Sequence, residues 1–391
     1  MTRIDGTHFD VVIAGGGPAG CSTAIRLAER GIKVLIVEQK TFPREKLCGE
    51  FISPECLEHF HDLGVLEKMT LAGCVGLDRT VFYTRRGRSV EVPSEWFGSG
   101  SQALGLSRAE MDRVLLARAR EVGVTVCEET SASLFPTERG QARRVRLKPT
   151  TGEPVEVRAG LTIDATGRSR VLARQIEKEL GPTVQTKPEY IAFKTHLAGA
   201  RVPERDCEIY AYRGGYGGAS GVEHDRFNVC FIVKSVVAKQ FGGDAERVMR
   251  GRMFSNERAA YSLAQATVVE PWLAVPISAY GRFDPTPADG LICVGDAAAF
   301  IDPFTGSGML MALQCGKMAA DTICDNLEHD FQTLAADYKS RHSRLFDRRL
   351  RICSLVRHAA FAPFIGESLI TLLSKSRFAA RSLTLATRGA R

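Results

Sequence analysis

Phe9–Gly20, FDVVIAGGGPAG, with Lys33–Glu38, KVLIVE, is the stretch that decides the fold. Phe9 to Ala14 is an apolar, β-branched run bounded by glycines, the pattern of a buried strand. Gly15-Gly16-Gly17-Pro18-Ala19-Gly20 is G-x-G-x-x-G between that strand and a helix, the context that gives the motif meaning. Gly15 permits a tight turn, Gly17 lets backbone approach a pyrophosphate, and Gly20 lets the helix pack closely on the sheet. Pro18 falls in the first helical turn, where its missing N–H costs nothing. Ala24, Ile25, Leu27 and Ala28 then form the apolar stripe, and Gly31 offers a left-handed stop. The helix start beside Pro18 and Ala19 suits an anion, because its N–H groups and positive dipole end face outward. Glu38 closes the second strand eighteen residues after Gly20, where an acid accepts hydrogen bonds from ribose hydroxyls. Together these predict a doubly wound, Rossmann-like dinucleotide-binding unit in an α/β chain.

Two later segments work outward from that core. In LTIDATGRSRVLAR a strand ends at Asp164 and Gly167 follows. In GLICVGDAAAFIDPFTGSGMLMAL a strand ends at Gly295-Asp296, and Gly306-Ser307-Gly308 opens a helix. With these three signatures in this order, the sequence resembles the FAD-dependent oxidoreductases of the para-hydroxybenzoate hydroxylase fold. The resemblance implies FAD as cofactor, with Asp296 accepting from the ribitol chain. It implies that the helix at Gly306 aims its N–H groups at the flavin pyrimidine edge and that Pro303 lines the ring face. It also puts Arg108, in GLSRAEMD, near the FAD phosphates and Ala132 near adenine.

Phe42–Glu55, FPREKLCGEFISPE, narrows the branch. It resembles the (R/K)-x-K-x-C-G segment of the geranylgeranyl reductase-like branch, with Arg44, Lys46, Cys48 and Gly49 in register. That likeness implies a Cys48–Gly49 pair beside the isoalloxazine, with the flavin carrying the chemistry and Cys48 its candidate protein neighbour. Ala299 stands where aromatic hydroxylases of this fold commonly carry histidine. Two departures limit the carry-over. YGGASGVEHDRFNV has Tyr216 but lacks the tryptophan and Phe-Pro of the prenyl reductase motif, and Trp272, in PWLAVPI, lacks the second tryptophan of the halogenases.

The 391 residues are 44% apolar and 25% charged, which excludes a disordered or fibrous chain. Eleven cysteines without a C-x-x-C pair fit reduced thiols in a cytoplasmic setting, not a disulfide scaffold or zinc ribbon. The charged N-terminus runs straight into a strand, unlike a signal peptide. No H-E-x-x-H or other metal spacing is present, Ser307 lacks a nucleophile elbow because Thr305 replaces the first glycine, and no nucleic-acid signature appears.

The predicted organisation is a discontinuous FAD-binding unit, residues 1–180 and 280–330 with sheet insertions around 75–105. Around it lie a mostly antiparallel substrate sheet at 181–279 and basic C-terminal helices at 331–391. Ser53-Pro54 opens a short helix closed at Gly64, and Ser107 caps another carrying Met111, Val114, Leu115 and Ala119 on one face. From Lys339 on, twelve Lys/Arg face two acids, so the tail carries +10 of a net +7. Leu345, Phe346, Leu350, Ile352, Cys353 and Val356 sit near helical spacing there, between arginines. Such helices cover the FAD unit or lie peripherally on an anionic membrane.

The function expected is oxidoreduction of an apolar or aromatic small molecule by hydride transfer at flavin N5. No second G-x-G-x-x-G lies between a strand and a helix, so NAD(P)H or another external reductant docks transiently. The alternative is a monooxygenase working through a flavin hydroperoxide; halogenation and non-catalytic flavin or lipid binding stand behind both.

Overall fold

The computed structural model describes residues 4, 6–97, 101–136, 143–181, 187–277, 280–302, 306–361, 370 and 373–387. β1 (His8–Ala14) runs to the glycine turn, α1 (Pro18–Ala28) returns, and β2 (Val34–Val37) pairs parallel with β1, Val11 opposite Val34. β3 (Phe51–Ile52), α2 (Glu55–Asp62), α3 (Leu66–Leu71) and β4 (Val75–Leu77) follow, and Gly64 ends α2 in the left-handed region at φ 67°. β5 (Arg79–Tyr83), β6 (Ser89–Pro93) and β7 (Ala103–Gly105) precede α4 (Arg108–Glu121). Ser107 caps α4 as its sequence predicts, its Oγ accepting the Glu110 N–H at 3.2 Å.

β8 (Thr125–Cys127), β9 (Thr130–Leu134), β10 (Arg143–Pro149) and β11 (Val155–Asp164) extend the first sheet, and α5 (Val171–Leu180) leaves from its end. Its strand order is β8-β2-β1-β11-β10-β9, with β19 (Leu291–Cys293) joining parallel to the far half of β11. β2, β19 and the Val11–Ala14 and Leu161–Asp164 segments of β1 and β11 are buried on both faces, which is why they read as nearly unbroken apolar runs. Ile13, Ile36 and Ile163 meet α1, α4 and α9 (Gly308–Asp325) on one side, while Val12, Leu35 and Val157 meet Leu172 of α5 on the other.

The second sheet takes β12 (Tyr190–Ala198), β13 (Asp206–Tyr212), β14 (Gly215–Val222), β15 (Arg226–Lys234), β16 (Thr267–Val268) and β17 (Leu273–Ile277). Its order is β16-β12-β15-β14-β13-β5-β6, with β17 also on β12. The strands at 79–93, expected as an insertion in the FAD-binding unit, belong to this sheet. β5 pairs parallel with β13, Thr80 opposite Cys207, the exception in an otherwise antiparallel array.

Three helices that the strand-rich texture of 190–276 conceals, α6 (Ser235–Gln240), α7 (Ala245–Arg252) and α8 (Glu257–Leu263), cover the back face. Ala238, Val248, Met249 and Leu263 pack there on Phe193, Phe231 and Val233. The opposite face is left for a cavity. β18 (Gly281–Arg282) and β20 (Ala299–Phe300) form a small ribbon at the return to the first sheet.

α10 (Phe331–Phe361) packs along α9 through Tyr338, His342, Phe346, Arg349 and Cys353, all buried. Leu345, expected in the apolar stripe, points away and is 40% exposed, while Arg349 turns inward to Gln314 Oε1 at 3.0 Å. α11 (Arg377–Ala386) covers the other unit instead, lying on β6 and on the turn at Ser94–Phe97. Among the described residues no helix is long and apolar enough to cross a membrane.

Candidate cofactor and substrate site

The glycine turn between β1 and α1 is closed by contact. Gly15 has φ +108°, and a Cβ there would fall 2.4 Å from the Ala165 carbonyl oxygen. A Cβ on Gly20 would fall 2.0 Å from the Gly15 oxygen, so this glycine serves helix–sheet packing and does not line the cavity. Gly17 is different: nothing lies within 3.8 Å of its Cβ position, and the nearest atoms are Nη2 of Arg108 and Nη2 of Arg44. Two guanidinium groups therefore flank the open side of the turn, at a helix start that no side chain caps.

Asp112 holds both arginines, and sequence reading missed it. Its fully buried carboxylate accepts from Arg108 Nε at 2.9 Å, Arg108 Nη2 at 2.7 Å and Arg44 Nη1 at 3.1 Å. The i,i+4 spacing of Arg108 and Asp112 on α4 was the available signal. Glu38 is on the cavity wall, and it also organises the turn: Oε2 accepts the Gly16 N–H at 2.9 Å and Oε1 the Lys40 N–H at 3.0 Å.

The cavity has a volume of about 1530 Å³ and runs from the glycine turn to the open face of the second sheet. Gly15, Gly17, Pro18 and Ala19 line it at one end, and Ala132 of β9 lies on the wall near Glu38. Arg44, Lys46, Arg108 and Arg168 converge on it, so desolvation and three cationic neighbours pull the Lys46 ammonium below its ordinary pKa. Arg168 is a second residue that sequence reading passed over.

Asp296 faces the same space; burial raises its carboxyl above the usual range, with Arg168, Arg108 and Lys46 opposing and no hydrogen bond contributing. Gly306 and Gly308 complete that wall at the start of α9.

Other expected cofactor residues do not reach the cavity. Asp164 is fully buried and accepts four hydrogen bonds, from Thr166 N and Oγ1 and from the amides of Leu172 and Ala173 at the start of α5. With those donors around it, the carboxylate turns inward as a helix-end acceptor. Gly295 packs against Ala19, and Ser307 is fully buried behind Gly306 and Gly308, neither of them on the wall. Pro303 lies outside the described residues.

These groups fit FAD: an anion-ready turn with four cations for a pyrophosphate, and a half-buried carboxylate, without a hydrogen-bond donor among the described residues, for a polyol.

Cys48 and Gly49 line the middle of the cavity. Burial pushes the Cys48 thiol above its ordinary value, so it is a thiol and not a thiolate nucleophile at neutral pH. Beneath this loop lies a charged cluster that no motif announced. Glu50 Oε1 accepts from Lys194 Nζ at 2.7 Å and from the Arg108 amide at 2.8 Å, and its Oε2 meets His196 Nε2 at 2.7 Å. Glu45 is the second partner of Lys194. Burial would raise the Glu50 carboxyl, but the His196 hydrogen bond and the Lys194 charge outweigh it and hold it low. Glu45, Glu50 and His196 bring ligand-type atoms within 4.8 Å of one another, yet the Lys194 ammonium already bridges the two carboxylates a cation would need.

Comparison with known proteins agrees with this geometry. The FAD binding domain model matches residues 8–345. The chain is 29% identical over 329 residues to digeranylgeranylglycerophospholipid reductase 2 of Methanopyrus kandleri, covering 83% of this chain and 78% of that one. Among solved structures, the flavin-dependent brominase Bmp2 superposes with a TM-score of 0.79 at 21% identity, over 97% of this chain and 94% of that one. A geranylgeranyl bacteriochlorophyll reductase-like protein from Thermoplasma acidophilum gives 0.75 at 20%, over 97% and 96%. The structural likenesses bear on fold alone, but the family match spans both glycine-containing loops and the cation-lined turn: this chain belongs to the FAD-binding domain family and is an FAD-dependent oxidoreductase.

Proposed function

We propose that this oxidoreductase reduces a carbon–carbon double bond in a long apolar molecule of isoprenoid type. One observation carries the reading: a single cavity joins the FAD-type turn to the apolar face of the second sheet, where Phe82, Ile209 and Ile232 form the wall. The relatives named as reductases of digeranylgeranyl lipids support the same substrate class. Bound FAD supplies two-electron hydride chemistry, and NAD(P)H or another external reductant restores it.

The protein's own part is binding and electrostatics. Gly17, Arg44 and Arg108 would hold the pyrophosphate, Glu38 would order the turn from behind, and Asp296 would accept from the ribitol chain. Gly306 and Gly308 would bring the start of α9 close to the ring, whose developing negative charge its dipole favours by ~0.3–2 kcal/mol. Ala132 would pack near adenine. Cys48 and Gly49 would separate the ring from the charged cluster below. The deciding experiment incubates reduced holoenzyme with unsaturated isoprenoids, with and without oxygen, and reads product mass. Two added hydrogens without oxygen uptake support reduction; one added oxygen atom coupled to uptake would establish the monooxygenase reading in its place.

The tail supports peripheral contact with an anionic bilayer, through which an apolar substrate enters. On α11 Phe378 is 82% exposed and Leu385 44%, with Arg377 and Arg381 on the same helix. Salt-sensitive co-sedimentation with anionic vesicles tests this, and failure to sediment at low salt rejects it.

A further inference from the structure

Strand register places one open row on the cavity face of the second sheet. Lys194 of β12 lies opposite Cys230 of β15, and Cys230 opposite Gly218 of β14. Gly218 lies opposite Ile209 of β13, which in turn faces Phe82 of β5. Lys194 is buried in its ion pairs, but Cys230, Gly218, Ile209 and Phe82 all line the cavity and all keep part of their surface open. Two residues along each strand, about 7 Å away, the neighbouring rows close. On one side Ala192, Ile232 and Tyr216 are buried, with Ala211 half-buried beside them. On the other Asn228, Ser220, Cys207 and Thr80 are buried, and β4 and β7 pack on Cys207 through Leu77 and Ala103. The open row is therefore a trough across the strands, three inter-strand spacings or about 14 Å long. It begins at Cys230, beside the lysine that anchors the Cys48 loop, and ends at Phe82.

The floor of the trough is bare at Gly218. Packing requires the neighbouring glycines of β14. A Cβ on Gly215 would fall 2.0 Å from the Ile232 carbonyl oxygen, and one on Gly217 would fall 2.7 Å from Phe231 Cβ in the core behind the sheet. Gly218 instead faces the cavity. The nearest atom to its Cβ position is the movable tip of Ile209, Cδ1 at 2.8 Å, ahead of the Glu208 carbonyl oxygen at 3.0 Å. Ile209 thus lies down over the glycine, and the cavity reaches Ala219 although that side chain packs on the other face. Counted from Tyr216, Gly218 stands where the prenyl reductase motif has its tryptophan. Room for Ile209 explains a small residue at this position. It does not explain why Cys230, on the other side of Gly218, is small and open as well.

We propose that Gly218 is a specificity-determining residue, which opens the trough to the flat, rigid body of a fused-ring molecule, a cyclised isoprenoid, in place of a linear prenyl chain. The proposal rests on the reading of this cavity as the substrate site and names the shape of what that site takes. A fused-ring plate meets a level floor over a whole face and has no chain torsions to freeze. A linear chain loses conformational freedom on binding and touches the floor along a line. Where it leaves a gap of about 0.5–1 Å over Gly218, roughly a quarter to a half of the dispersion contact is forfeited.

The test uses FAD-loaded enzyme and two neutral alcohols of similar carbon count, the fused-ring androstanol and the linear geranylgeraniol, each below its aggregation concentration. Binding is followed by calorimetry and by the flavin absorption spectrum. Androstanol should bind at least roughly tenfold more tightly than geranylgeraniol. Gly218→Ala pushes the Ile209 tip up into the trough, and Ile209→Phe raises the floor without touching the backbone. In each variant the preference should fall to about threefold or less, chiefly through lost androstanol affinity, because a flexible chain bends past the obstacle.

Geranylgeraniol binding as tightly as androstanol, or more tightly, in the wild type would overturn the fused-ring specificity while leaving an apolar substrate reading intact. A wild-type preference kept in either variant, at full FAD content, would overturn the trough as its origin, and Ile209→Phe decides this even where Gly218→Ala does not fold. Binding of neither alcohol, in holoenzyme whose flavin still reduces normally, would remove both the trough and this cavity as the substrate site.

Discussion

Gly20→Ala and Gly17→Ala should separate two jobs done by one loop. A methyl at position 20 would lie 2.0 Å from the Gly15 oxygen and 3.2 Å from Ala165 Cβ. Neither neighbour is the end of a flexible side chain, so α1 itself must move. Its other side is already tight, since a Cβ on Gly316 of α9 would meet the Ala19 oxygen at 2.8 Å. Overpacking a closed core costs typically ~1–3 kcal/mol, and a clash on backbone from both sides belongs at the upper end. At position 17 the backbone is extended, φ −79° and ψ −175°, and the methyl meets nothing nearer than 3.8 Å. Alanine for glycine at a helix N-cap costs under about 1 kcal/mol. The methyl would instead enter the space between Arg44 and Arg108 where the pyrophosphate is expected. Urea unfolding of the apoprotein should therefore show Gly20→Ala destabilised by about 3 kcal/mol and Gly17→Ala by less than about 1 kcal/mol. FAD titration should show Gly17→Ala binding roughly 10- to 100-fold more weakly, a loss of about 1.4–3 kcal/mol. Wild-type FAD affinity in Gly17→Ala would refute the placement of the pyrophosphate at this turn, and a wild-type unfolding midpoint in Gly20→Ala would refute the packing argument.

Asp296→Ala should weaken FAD binding roughly 5- to 150-fold by leaving polyol hydroxyls unpaired, at ~1–3 kcal/mol; unchanged affinity in a fluorescence titration would move the ribitol elsewhere. His342 gives a pH signature: burial pushes its imidazole down to about 4 in the folded chain, so folding favours the neutral form. The unfolded chain takes up a proton near the ordinary value of about 6.5, so stability is full above that value and falls as pH drops, by about 2 kcal/mol between pH 7 and 5. His342→Leu should flatten that slope in urea titrations at the two pH values, and an unaltered slope would discard the assignment. A chain ending at Ser376 loses Ala380, Leu383, Thr384 and Thr387 from the cavity wall. It should keep its FAD content while binding an apolar ligand about tenfold more weakly, for loss of one buried leucine's worth of contact; equal binding would show that α11 is not part of the wall.

What was legible in the sequence is what lies close along the chain. The run from Phe9 to Glu38 encodes β1, the turn, α1 and β2 within thirty residues, and each part carries its own local signal: glycines where a Cβ would meet backbone, an uncapped helix start, unbroken apolar strands. Ser107 and Gly64 are equally local, a cap and a stop. Motif position alone does not tell apart the two kinds of acid that the strand ends carry. Asp164 and Asp296 both close strands before a glycine-containing turn, but Asp164 meets the four donors of Thr166, Leu172 and Ala173, while Asp296 meets no donor among the described residues and faces the cavity. Which way such an acid turns depends on the helix that follows. After Asp164 the chain enters α5 within reach of its carboxylate; after Asp296 it passes through β20 before reaching α9.

What was not legible is the pairing of residues far apart in sequence. Lys194 and Glu50 are separated by 144 positions and His196 and Glu50 by 146, and nothing in FPREKLCGEF announces a partner on another sheet. The strand itself held a clue. In YIAFKTHLA, Tyr190, Ala192, Lys194 and His196 share one face by alternation, and a lysine and a histidine on an otherwise apolar strand require partners if buried. Those partners are the carboxylates of the Cys48 loop, which closes this end of the sheet face. Removing one partner of such a buried set leaves the others charged in low dielectric, which costs far more than a surface pair would. The loop that carries Cys48 is thus tied to the second sheet by charge and to α4 by the Arg108 amide on Glu50.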